Sequence, residues 1–229
     1  MGGDGRAAVG GVVERIVEAG IIAILRGLAG RDLERAVDAL LQGGIEVLEV
    51  ALNTPRALEA VSSLSRNLAG RALVGAGTVL TAEEACAAVR AGAAFLLTPH
   101  VDEAVIQAGQ REGVPVLAGA LTPTEIVRAY RAGSPLVKLF PAGSLGPRYL
   151  ALLRGPLPQI PLVPVGGVDE TNAAAFFEAG AAALGIGGSL VDRAAVREGR
   201  LEVLREKARR LTALAAEKRA LRCPRGGEG

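Results

Sequence analysis

Residues 115–141 read PVLAGALTPTEIVRAYRAGSPLVKLFP. The runs at 115–118 and 136–139 are short and almost wholly apolar, which fits strands buried on both faces, as in a parallel sheet. Between them lies an amphipathic stretch over 122–132. It opens at Thr122-Pro123 and closes at Gly133, a cap-forming residue with proline at the start and glycine at the end. The segment is therefore a strand–helix–strand unit, and its second strand carries a lysine, Lys138, in its middle.

The same unit recurs outward in both directions. Strands are predicted at 21–25, 45–50, 72–76, 94–97, 115–118, 136–139, 162–165 and 183–186. Helices fall between them at 31–42, 54–69, 81–91, 102–112, 122–132, 147–154 and 170–179. Asn53-Thr54-Pro55, Thr81 and Asp102 supply further start signals, and Gly43, Gly70, Gly92, Gly113 and Gly180 further stops. Eight such units without interruption favour closure into a single (β/α)8 TIM barrel over an open doubly wound sheet. An extra helix is expected at Val12–Ala19, after a Gly/Ala-rich segment (1–11) expected to be mobile. The barrel domain spans 12–220, and its long polar helix at 194–220 leads into a flexible tail, 221–229.

Composition narrows the function. The chain has 229 residues, half of them hydrophobic, which is enough for one large core. Its 26 Lys and Arg nearly balance its 24 Asp and Glu, and only 3% of residues are aromatic, so neither the charge nor the stacking surface expected of a nucleic-acid binder is present. No apolar run reaches membrane-spanning length, and the first residues do not form a signal peptide, so a cytoplasmic protein is expected. Cys86, in an Ala-rich helical run, and Cys223, in the polar tail, offer neither a disulfide framework nor metal spacing, and the lone His100 argues against a His-based metal site.

Polar and glycine residues gather where a barrel keeps its chemistry, at the C-terminal ends of the strands. Arg26-Gly27 follows the first strand, Glu49 lies near the end of the second, and Gly75-Ala76-Gly77-Thr78 closes the third. Thr98-Pro99-His100 closes the fourth, Gly119 the fifth, Gly166-Gly167 the seventh and Gly187-Gly188-Ser189 the eighth. Lys138 is the one lysine before residue 207; the only others are Lys207 and Lys218. Strand alternation puts Lys138 with Leu136 and Phe140, and Glu49 with Val47 and Ala51. If both faces point inward, an amine and a carboxyl meet in an apolar interior. Desolvation and a cation such as Arg26 would lower the lysine pKa, and desolvation would raise that of Glu49. The pair is then either a nucleophile with an acid/base or a structural ion pair plugging the barrel. Arg26 suits a carboxylate. Thr78 is either a hydroxyl donor to substrate or a helix cap. The glycine turns after strands seven and eight suit phosphate, with Ser189 adding a hydroxyl. His100 has no evident acidic partner and reads as a rim residue, and Phe140 as core or as a wall beside Lys138.

Several stretches together resemble the 2-keto-3-deoxy-6-phosphogluconate / 4-hydroxy-2-oxoglutarate aldolase family. They are Ile22–Gly27, Leu48–Pro55, GAGTVL (75–80), VKLFPA (137–142), Val165–Val168 and Gly187–Ser189. The resemblance implies a class I aldolase with Lys138 as the Schiff-base lysine and Glu49 as acid/base. It further implies Arg26 and Thr78 on the pyruvyl carboxylate, and Gly166, Gly188 and Ser189, flanked by Gly167 and Gly187, on phosphate. The substrate would be a 2-keto-3-deoxy-6-phospho sugar acid, with 4-hydroxy-2-oxoglutarate as a further candidate. A homotrimer needing neither metal nor cofactor is implied. The chain departs from the family at Asn53, where many gluconate-type members carry arginine, and at His100, where the turn is often Ser-Pro-Gly. Those two positions bear on C4 stereochemistry. The rivals are a sugar-phosphate isomerase or epimerase on the same kind of barrel, and a non-catalytic sugar-acid-phosphate binding protein.

Overall fold

The computed structural model describes residues 3–222. Eight parallel strands run in the order β7-β6-β5-β4-β3-β2-β1-β8. They are β1 (Ile21–Leu25), β2 (Val47–Ala51), β3 (Leu73–Gly77), β4 (Leu96–Leu97), β5 (Val116–Ala120), β6 (Val137–Leu139), β7 (Leu162–Pro164) and β8 (Leu184–Ile186). A bridge between Val165 and Gly185 joins the two ends of that order, so the sheet closes on itself as a (β/α)8 barrel. Seven helices follow the strands: α2 (Gly30–Gln42), α3 (Ala57–Asn67), α4 (Ala82–Arg90), α5 (Glu103–Arg111), α6 (Pro123–Arg131), α7 (Gly146–Arg154) and α8 (Ala173–Glu178). α1 (Gly3–Ala19) precedes them, and α9 (Arg193–Arg197) and α10 (Leu201–Arg222) end the fold.

Strand alternation divides the apolar residues into two layers. Outward residues such as Leu48, Val74, Leu96, Val137 and Leu184 pack under the helices. Inward residues such as Ile24, Val47, Leu73, Phe95, Leu97 and Val163 fill the barrel, and Ile16, Val12 and Val13 of α1 belong to this inner cluster. Ile16 is fully buried, so α1 lies across the N-terminal mouth and closes it. Phe95 is also fully buried, and a Cβ at Gly75 would stand 2.5 Å from its ring. That glycine in β3 is therefore room for the phenyl group. Phe95→Ala is expected to cost about 3–5 kcal/mol in chemical denaturation through transfer and cavity terms. A loss under about 1 kcal/mol would mean that Phe95 does not hold the inner layer together.

The cap signals hold at Thr81, Asp102 and Thr122, whose side chains accept from backbone N–H groups of the following turn. Several boundaries differ from the sequence reading, among them the helix read as 170–179, which spans Ala173–Glu178. The first helix, expected from Val12, begins at Gly3. The helix expected from residue 54 begins at Ala57, because the Thr54 hydroxyl accepts from Gly27 N (2.9 Å) and ties the β1 and β2 rims together instead of capping. The helix expected over 194–220 is two, α9 and α10, broken at Gly199 with φ +79°. α10 also runs on to Arg222, into the stretch read as tail, whereas Cys223 and the rest of the tail lie outside the described residues.

Candidate active site

Lys138 and Glu49 both face into the barrel, 4% and 1% exposed. Lys138 pairs with Gly119 and Val163 on the neighbouring strands, and Glu49 with Ile24 and Gly75. Glu49 leans across β3, where a Cβ at Gly77 would fall 1.6 Å from its Oε1. The second glycine of the GAG stretch thus makes space for a carboxyl group, as the first does for Phe95.

The two charged groups do not form a salt bridge with each other. Oε2 of Glu49 is buried without a hydrogen-bond partner among the described residues. The Lys138 Nζ lies 4.9 Å from the centroid of the Phe140 ring. A plug would use up both charges in a contact ion pair, and that contact is missing. Burial pushes the Lys138 ammonium below the ordinary lysine range, opposed by the charge of Glu49 and reinforced by Arg26. Burial pushes the Glu49 carboxyl up, opposed by Lys138 and Arg26. Both neutral forms become accessible nearer neutral pH, which suits an amine nucleophile and a proton carrier.

Beside Lys138 opens a cavity of about 290 Å³, whose lining includes Lys138 but not Glu49. Arg26 and Ile24 from β1, Lys138 and Phe140 from β6, Gly166 to Asp169 after β7, and Gly187 to Ser189 after β8 line it. The amine of β6 and the guanidinium after β1 thus flank the glycine-rich turns that follow β7 and β8, the two strands between them. Gly166 and Gly167 have φ of +83° and +75°, and side chains there would strike the Phe140 ring and the Gly143 backbone. After β8 the N–H groups of Leu190 and Val191 both bond to the Gly187 carbonyl, so the chain turns as the start of a helix does. The N–H groups of Gly188 and Ser189 have no acceptor among the described residues. Such donors at a helical turn are suited to an anion. The Ser189 hydroxyl donates to the Val168 carbonyl (2.8 Å) and ties the two glycine rims together.

Other expected site residues lie outside the cavity. Thr78 accepts from Arg26 Nη2 (3.2 Å) and has φ +57°, uncommon for a β-branched residue. The helix cap there is Thr81, not Thr78. Asn53 and His100 are exposed. His100, read as lacking an acidic partner, has Asp102 Oδ2 4.0 Å from its Nε2. The sequence reading missed Asp169, whose carboxylate sits at the cavity edge and accepts from Thr171 N, Thr171 Oγ1 and Asn172 N. Those bonds hold it below the ordinary carboxylate range. The signal was there in Asp169-Glu170-Thr171-Asn172, the pattern of an Asx turn.

A desolvated lysine inside a (β/α)8 barrel, beneath a glycine rim suited to an anion, has the makings of an imine-forming, class I aldolase. The chain belongs to the KDPG and KHG aldolase family, whose model matches residues 12–206. It is 35% identical over 171 residues to the 2-dehydro-3-deoxy-6-phosphogalactonate aldolase of Escherichia coli K12, covering 74% of this chain and 83% of the relative. It is 38% identical over 160 residues to the 2-dehydro-3-deoxy-phosphogluconate aldolase of Pseudomonas aeruginosa, covering 69% and 72%. Among solved structures, the KDPG aldolase of Legionella pneumophila matches with TM-score 0.77 at 29% identity, over 85% of this chain and 96% of that one. That structure holds pyruvate captured as a covalent carbinolamine intermediate. The protein is an aldehyde-lyase of class I type.

Proposed function

We propose that the enzyme cleaves a 2-keto-3-deoxy-6-phospho sugar acid to pyruvate and glyceraldehyde 3-phosphate, with Lys138 as the nucleophile. The observation that carries this reading is the buried, unbridged amine of Lys138 in a cavity lined by the glycine turns after β7 and β8. Neutral Lys138 attacks the C2 ketone, and loss of water leaves a protonated imine. That cation draws the electrons of the C3–C4 bond. Glu49, directly or through a water, takes the C4 hydroxyl proton as the bond breaks and the aldehyde departs. The enamine regains a proton at C3 from the same group, and hydrolysis releases pyruvate and the free amine. Arg26 and Thr78, already joined by a hydrogen bond, hold the keto-acid carboxylate. Gly166, Gly167, Gly187, Gly188 and Ser189 hold the phosphate, so remote binding orients the reacting bond. The unphosphorylated 4-hydroxy-2-oxoglutarate, cleaved to pyruvate and glyoxylate, is a second substrate that lacks only the phosphate contact. Asn53 and His100 set the preference between C4 epimers from the rim. Phe140 walls the amine.

The protein works in the cytoplasm in this reading, and as a homotrimer, the state that family resemblance implies. No described helix is long and apolar enough to cross a membrane. Borohydride reduction with pyruvate, followed by peptide mass analysis, tests the chemistry: a pyruvate-sized adduct on the Lys138 peptide is expected. An isomerase, an epimerase or a binding protein would give no adduct and no pyruvate release in a coupled assay. Side-by-side kinetics on the gluconate and galactonate epimers, with Asn53→Arg compared to the wild type, test the stereochemical assignment. An unchanged epimer ratio would remove Asn53 from that role.

A further inference from the structure

Lys207 stands on α10, one residue past the stretch that the family's model matches. Its Nζ donates to the main-chain carbonyl of Ser189 at 2.7 Å. That carbonyl belongs to the turn after β8, in which the N–H groups of Gly188 and Ser189 have no acceptor among the described residues. Asp192, held below the ordinary carboxylate range chiefly by the N–H groups of Ala195 and Ala194, also feels the charge of Lys207. Asp192 in turn caps α9 through Ala194 N and Ala195 N. One lysine, from a helix otherwise packed on the outside of the barrel, thus reaches the turn and the element that continues it.

We infer that Lys207 is a positioning residue for the phosphate turn, fixing the Gly187–Ser189 backbone in its anion-accepting shape and adding positive charge behind it. This rests on reading that rim as the phosphate site. A cation on the Ser189 carbonyl makes a charge-assisted hydrogen bond, stronger than a neutral one, so the peptide is held in one orientation. The same charge lies behind donors that face an anion, which favours a dianionic phosphate over a neutral group. Lys207 takes no part in bond making, so its effect falls on binding of the phosphorylated end and spares the imine chemistry.

The test compares wild type with Lys207→Ala, Lys207→Arg and, as a control on the same helix, Lys218→Ala. Lys218 pairs with Glu178, a residue of α8. Each is assayed on the phosphorylated substrate and on 4-hydroxy-2-oxoglutarate. For Lys207→Ala, KM on the phosphorylated substrate is expected to rise about 5- to 10-fold, the scale of one charge-assisted contact at a half-buried site. Its kcat, and kcat/KM on 4-hydroxy-2-oxoglutarate, should stay within about twofold of wild type, a split that simple unfolding would not produce. Arginine should restore most of the affinity, and Lys218→Ala should leave it in place. Equal losses on both substrates, or no loss on either, would overturn the inference. A wild-type enzyme with no preference for the phosphorylated substrate would overturn the phosphate reading itself, and this inference with it. A preference that stays within about twofold of the wild-type ratio in Lys207→Ala would overturn the inference alone.

Discussion

Lys138→Met abolishes covalent trapping: with pyruvate and borohydride no adduct forms, and cleavage falls by about 10⁴-fold or more, the scale of losing a covalent nucleophile. Methionine has nearly the same length and fills the space beside Phe140, so the barrel should keep its fold. Lys138→Arg separates charge from chemistry. Arginine keeps the positive charge beside Glu49 but has no amine that can lose a proton and attack a carbonyl. Both variants should be equally dead, which places the function in the amine rather than in the charge. The melting temperature of the methionine variant should match or exceed that of the wild type. Lys138 is nearly buried without a salt-bridge partner, and its removal lifts a desolvation cost. Glu49 would then lose the cation that opposes the rise in its pKa and would stay protonated more readily. An adduct on either variant would remove Lys138 from the mechanism.

Glu49→Gln should divide the reaction. Imine formation needs the amine, and proton transfer at C3 and at the C4 hydroxyl needs the carboxyl group. Exchange of pyruvate methyl protons should therefore slow by about 10²- to 10⁴-fold, the usual range for a lost acid/base, while the borohydride adduct still forms. The pH dependence has a definite sign. The charge of Glu49 raises the Lys138 pKa against the lowering effects of burial and Arg26. Without that charge the Lys138 pKa falls further, so the inflection in trapping rate moves to lower pH than in the wild type. An inflection that moves upward, or proton exchange that stays at the wild-type rate, would contradict the assignment. The substitution is isosteric, so the crowding at Gly77 that makes room for the carboxyl is undisturbed.

Much of this was written in the sequence, and the rest was hidden for physical reasons. Parallel strands covered on both faces appear as short continuous apolar runs, which gave eight strands and their order along the chain. Lys138 stood out because a charge inside such a run is costly to bury. Alternation set Glu49 inside the barrel with it, on the condition that both faces point inward. The meaning of Gly75 and Gly77 did not follow, because the atoms that need their space, the Phe95 ring and the Glu49 carboxyl, come from other strands. Thr54 looked like a cap because the local pattern Asn53-Thr54-Pro55 satisfies the rule, yet its hydroxyl serves Gly27 across the rim. Gly199 was lost in a polar, helix-favouring stretch, where one glycine gives little warning of a break. The contact from Lys207 to Ser189 spans eighteen residues and a change of direction that no periodicity records.

The helix across the N-terminal mouth has a consequence for the order of events. With Ile16 sealing one end, the barrel is a vessel with a single opening, and everything enters and leaves past the glycine rims. Lys138 lies deeper than those rims, and in the proposed mechanism the keto-acid fragment is covalently bound to it after cleavage. The aldehyde, the part nearer the opening, therefore leaves first, and the three-carbon acid follows only after hydrolysis. In the synthetic direction the sequence reverses: the acid must be loaded before the aldehyde arrives. The floor thus gives a reversible reaction a fixed queue.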